Sequence, residues 1–170
     1  MMLKTLALST ALSLALLAPA LAQDPVINYE PDDPAMNAAI AEAQATLPLF
    51  LAQAFDAEGN SVEPALVKVA FPALEGYGMD HEHIWISPFA QLEDGSFTGL
   101  LANEPVALGD LTAGDQVDFT AQMITDWHMT APSGLYWGSF TSRVMFDQGA
   151  FGDTPFEQSF EAEPVPTAWK

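Results

Sequence analysis

At Ala65 the chain changes period, and that switch decides what it can become. Before it, apolar residues recur at spacings of three and four, at Met36, Ile40, Ala43, Leu47, Phe50 and Leu51. That spacing places them on one face of a helix. Asp33 followed by Pro34 marks the start, because a short carboxylate caps the first free N–H groups and proline is tolerated at the first helical position. Pro48 removes one backbone hydrogen bond, so the pattern predicts a kink, or a second short helix recapped by Thr46 and running to about Phe55. Beyond a loop over 56–64 come short runs rich in Val, Ile, Phe and Trp, at 66–71, 83–87, 96–102, 116–120, 123–127 and 135–145. Turn signals separate them, among them Glu75-Gly76, Glu93-Asp94-Gly95, Gly109-Asp110, Gly114-Asp115 and Ser133-Gly134. The order predicts an α+β fold: an N-terminal amphipathic helix packed on an antiparallel sheet of about five or six strands, as a roll or a partly closed barrel.

The residues ahead of the helix read differently. Lys4, an apolar stretch through Leu17, and the small-residue triplet Ala20-Leu21-Ala22 form the three regions of a cleavable signal peptide, with the cut predicted between Ala22 and Gln23. The apolar run is interrupted by Ser9, Thr10 and Ser13 and is shorter than the roughly 20 residues that span a bilayer. The expectation is therefore a periplasmic or secreted protein with no membrane contact after cleavage. Residues 23–32 read as an extended leader, 33–146 as the folded domain, and 147–170 as a loosely packed acidic tail containing Pro and Gly. No cysteine is present, so no disulfide and no lipid-modified cysteine can form.

Charge narrows the partners. The chain carries 23 acidic residues and 4 Lys or Arg, for a net charge of −19. Beyond Lys4 the cations are Lys68, Arg143 and Lys170 alone. Phosphate backbones and anionic lipid need a cationic surface, so nucleic acid and membrane are poor partners, and solubility is the simplest reason for the acidity.

Several motifs occur in a characteristic order. After the helix come Lys68-Val69-Ala70-Phe71, Glu82-His83-Ile84-Trp85, Phe97-Thr98-Gly99-Leu100-Leu101-Ala102-Asn103-Glu104-Pro105 and Gly114-Asp115-Gln116-Val117-Asp118-Phe119. Ile124-Thr125-Asp126-Trp127 and Gly138-Ser139-Phe140-Thr141-Ser142-Arg143 complete the set. Together they resemble the YegJ-like family, domain of unknown function 2314, over roughly residues 33–146. The resemblance implies a small single bacterial domain and brings no assigned activity or catalytic residues. One departure is visible: the pattern implies a Gly-Gly pair where this chain has Gly138-Ser139.

Candidate chemistry is sparse. His81 and His83 lie two apart, on one side of a strand, and with His128 or Asp126 as a third ligand they could hold a catalytic zinc. The spacing matches no recognised zinc signature, and an exposed or structural role is the plainer reading. The stretch beginning at Asp56 opens like a calcium loop but has Ser61 and Val67 where glycine and glutamate are needed. No nucleophile elbow and no Gly-rich phosphate loop occur. Lys68 and Arg143 are more informative, since both interior cations fall in apolar runs. The simplest expectation pairs each with Glu82, Glu104 or Asp126; the alternative has Arg143 receive an anionic group of a ligand. If a cleft exists, His83, Trp85, Asn103, Glu104, Asp126, Trp127 and Arg143 are the residues expected near it. The leading expectation is a non-enzymatic module, without catalytic residues or a cofactor, that binds an unknown partner protein or small ligand. The runner-up is a metal-assisted hydrolase built on His81, His83 and His128, and a third reading is an inhibitor or immunity-type protein steered by its acidity to a basic target.

Overall fold

A computed structural model describes residues 33–63, 65–150 and 159–170. The predicted signal peptide and the predicted leader over 23–32 lie outside the described residues. The first element, α1, is Pro34–Ala54. It starts where its cap predicts: the Asp33 carboxylate accepts from the Met36 backbone N–H at 2.9 Å, and Pro34 opens the helix. Its buried face is Ala39, Ala43, Leu47, Phe50 and Ala54, so Met36 and Ile40 sit at the margin rather than on the seam. No second helix begins at Pro48. Thr46 does not recap the chain; its hydroxyl bonds back to the Glu42 carbonyl at 2.9 Å, and α1 continues through the proline.

Six strands follow: β1 (Ala65–Pro72), β2 (His81–Gln91), β3 (Phe97–Leu101), β4 (Gln116–Phe119), β5 (Ile124–Thr130) and β6 (Tyr136–Gly138). They form one antiparallel sheet in the order β4-β3-β2-β1-β5-β6, which is open rather than closed into a barrel. The fold is α+β, as the change of period predicts. Among the described residues no helix is long and apolar enough to cross a membrane.

Strand alternation sorts the sheet into two faces. Val67, Val69, Ile84, Ile86 and Trp127 join the buried residues of α1 in one core, with the Trp127 ring stacked on Phe50 at a centroid distance of 5.0 Å. Leu66, Lys68 and Trp85 turn to the opposite face. Close packing leaves no room for a side chain at Gly138: a Cβ there falls 2.2 Å from the Trp127 carbonyl oxygen, and the backbone adopts φ +69°.

That glycine corrects the reading of 135–145 as one strand. The strand ends at Gly138, Ser139 takes a left-handed conformation with φ +56°, and a second helix, α2 (Phe140–Asp147), begins at once. Arg143 therefore lies on a helix. The C-terminal segment also departs from the loosely packed tail expected. Val165 is buried in the core, and the Trp169 ring lies 6.0 Å from Trp127 and 5.2 Å from Trp137.

Candidate functional site

Cross-strand register brings the chemistry together. Lys68 on β1 stands opposite Trp85 on one side and Asp126 on the other. The three make one row across the middle of the sheet. Lys68 Nζ lies over the Trp85 ring, 4.6 Å from its centroid, and donates to Thr141 Oγ1 at 2.8 Å. The Thr141 hydroxyl in turn donates to Asp126 Oδ2.

Asp126 is fully buried yet well supplied. Its Oδ1 accepts from the backbone N–H of Trp127 at 2.8 Å and of Phe140 at 3.0 Å, and its Oδ2 from the N–H of Thr141 at 2.8 Å. Burial pushes the Asp126 carboxyl above its ordinary range and the Lys68 ammonium below its own, and each charge works against the other's shift. Every neighbour bonded to Asp126 is a donor, so the site is built for a carboxylate and has no acceptor waiting for a carboxylic proton. The first turn of α2 is thereby fastened to β5 and β1.

Beside this row a cleft of about 240 Å³ opens, lined by Leu66, Trp85, Asn103, His128, Tyr136 and Phe160 together with Ser139 and Ser142. His128 stands between aromatic rings, 4.2 Å from the Tyr136 centroid and 6.0 Å from that of Trp85. Its Nδ1 is 2.9 Å from Ser139 Oγ. Burial and then the Lys68 charge push its pKa down to about 4, so the imidazole is neutral at physiological pH. Asn103 is fixed from behind, its Oδ1 accepting from the Trp85 N–H at 3.1 Å.

Of the residues expected near a cleft, Trp85 and Asn103 line it, and Asp126 lies behind it, joined through Thr141 and Lys68 to Trp85. His83 lies on the same face further along β2, with Nδ1 2.9 Å from Thr125 Oγ1. Its pKa is depressed by desolvation and then by the Lys68 and His81 charges, although its outer edge is open to solvent. Trp127 belongs to the core on the other face. Glu104 binds the Ala113 N–H at 3.0 Å in the loop after β3, away from the cleft lining.

Lys68 faces one of its expected carboxylates, Asp126, through the Thr141 hydroxyl, whereas Arg143 does not pair as expected. Arg143 donates to three backbone carbonyls, those of Gly138 at 2.8 Å, Glu161 at 2.9 Å and Tyr136 at 3.1 Å, and its guanidinium lies over the Phe160 ring at 4.7 Å. It ties β6 to the C-terminal segment and borders a groove between α1 and α2 instead of the cleft. Glu82 is likewise committed to backbone, accepting from the N–H groups of Val106 and Ala107 at 2.7 Å each.

The histidines do not converge. His83 is opposite Ala70 and His128 opposite Leu66, on different sides of β1. Four residues of strand separate those positions by roughly 13 Å, against about 2 Å for a zinc–nitrogen bond. His81 is further out, opposite Pro72. Among the described residues no three of His, Asp and Glu come together to hold a metal.

Ser139, Thr141, Tyr136 and Phe160 are among the residues whose place here the sequence does not show. Tyr136 reads as core or rim, and Thr141 as one polar residue in an apolar run. Ser139 carried a signal, as the departure from the expected Gly-Gly pair.

A family model described as "Uncharacterized protein conserved in bacteria (DUF2314)" matches residues 33–154. The match supports that family as a whole and not the narrower YegJ-like name, and it extends past 146 to take in all of α2. No curated protein and no solved structure matches the chain.

Proposed function

The chain belongs to that DUF2314 family, and from this premise we propose that it is an exported binding module whose cleft takes one apolar side chain of a partner protein or a small ligand. One observation carries the reading: aromatic walls from Trp85, Tyr136 and Phe160 flank a half-open space with His128 and Asn103 held in place by their own neighbours. Ligand sites combine apolar walls with a few fixed polar groups in this way. At about 240 Å³ the space lies below the usual range for drug-sized ligands, which favours a single side chain or fragment. Lys68, Asp126 and Thr141 serve the reading as scaffold, because their polar groups are spent on one another.

Phenol and indole, titrated into nitrogen-15-labelled protein, test it. The expected shifts fall on Trp85, His128 and Tyr136. Shifts confined to another surface sink the proposal.

Export makes its own prediction. The signal-peptide pattern has protein recovered from the periplasm or medium begin at Gln23, which intact mass measurement reads directly. Exported protein still carrying Met1, or protein retained in the cytoplasm, overturns that half of the reading.

A further inference from the structure

Ser139 sits where the backbone favours glycine. Its φ of +56° is left-handed, a conformation that side chains with a Cβ adopt at a cost, and it is the non-glycine positive φ among the described residues. Its neighbour Gly138 needs glycine for room as well as for φ. A serine kept at such a position asks what its hydroxyl does.

Ser139 is 1% exposed, and its Oγ has one hydrogen-bond partner among the described residues, His128 Nδ1 at 2.9 Å. Were Nδ1–H the donor, the serine proton would have no acceptor among the described residues, at the cost of an unmade bond. With Ser139 donating, both groups are satisfied, and the imidazole proton must sit on Nε2. His128 has no second hydrogen bond among the described residues, and its ring lines the cleft between Trp85 and Tyr136.

We propose that Ser139 locks His128 as the Nε2–H tautomer, so that the cleft offers a fixed, uncharged N–H donor to an uncharged carbonyl oxygen next to an apolar group, as in an aromatic residue within a peptide. This rests on the cleft being a binding site. A neutral acceptor is preferred over a carboxylate for two reasons. The chain's net charge of −19 repels an approaching anion, and Lys68, the cation behind Trp85, is already faced by Asp126. Ser139 is thus a positioning residue: it acts on the ligand through His128.

The test has two arms. Long-range nitrogen-15 spectra of the free protein report the tautomer directly, with His128 protonated on Nε2 expected; protonation on Nδ1 overturns the proposal whatever binds. The second arm compares N-acetyl-phenylalaninamide, N-acetyl-phenylalanine and toluene on wild type and Ser139→Gly. The amide is expected to bind wild type at least about twofold more tightly than the variant, whose unlocked imidazole divides its proton between two nitrogens, with toluene unchanged between them. Ser139→Gly relieves the left-handed strain, so its thermal midpoint should stay within a few degrees of wild type and its amide spectrum should remain folded. If the variant fails to fold, the wild-type tautomer and the preference for amide over carboxylate still decide. Equal binding of the amide to both proteins, or a preference for the carboxylate, overturns the proposal but leaves the cleft standing. Binding of none of the three probes removes the cleft reading, and the proposal with it.

Discussion

Asp126→Ala is expected to cost about 3 to 5 kcal/mol, the loss typical of removing one of two buried opposite charges, here linked through Thr141, and to leave little folded protein in mild urea. Two penalties combine. The buried N–H groups of Trp127, Phe140 and Thr141 lose their acceptor, and among the described residues Lys68 keeps a buried charge with only the Thr141 hydroxyl and the Trp85 ring for company. A second substitution separates them. Lys68→Met removes the stranded charge while filling similar volume, so the double variant should recover part of the loss, and what remains measures the orphaned N–H groups. Urea unfolding followed by tryptophan fluorescence checks the order: wild type most stable, then the double variant, then Asp126→Ala. A single variant as stable as wild type would show that the Lys68–Thr141–Asp126 chain does not hold α2 to the sheet.

This row also shows what the sequence could and could not reveal. Asp33-Pro34 announces α1 because capping is local, and the strands are legible because alternation and turn residues are local too. Asp126 and Trp85 stand out in the sequence as polar or amphipathic residues within the recurring motifs. Their partnership was hidden, because it depends on β1 lying between β2 and β5, and that order is a property of the sheet. Arg143 was misread for a related reason. Backbone carbonyls leave no mark in a sequence, so an arginine that binds three of them looks like one in search of a carboxylate. The break at Gly138-Ser139 was missed because 135–145 is apolar enough for a strand, while the decisive fact is how closely Trp127 approaches Gly138. The Gly-Gly pair implied by the family resemblance was the available hint, since two adjacent glycines suit two adjacent positive φ angles.

The second large effect is a loss of stability in acid that can be assigned to one ring. Folded His128 has its pKa pushed down to about 4, whereas an imidazole in the unfolded chain takes its proton near 6.5. Between those values the unfolded state binds more protons, so this contribution is fully present above pH 6.5 and is lost as pH falls toward 4. The depression corresponds to a loss of about 3 kcal/mol at pH 4. The acidic surface acts in the opposite sense, because protonating its carboxylates relieves the repulsion behind the charge of −19. Wild type alone therefore shows a mixture, and the informative quantity is its difference from His128→Phe. Phenylalanine keeps a ring between Trp85 and Tyr136 but cannot take a proton. It also leaves the Ser139 hydroxyl without its partner, so the variant should be the less stable protein at pH 7. As pH falls to 4 the gap should close and then reverse, moving by about 3 kcal/mol in the variant's favour. Parallel urea curves at pH 7, 5.5 and 4 measure it, and a gap that stays constant would mean that His128 is not held neutral by its burial in the cleft.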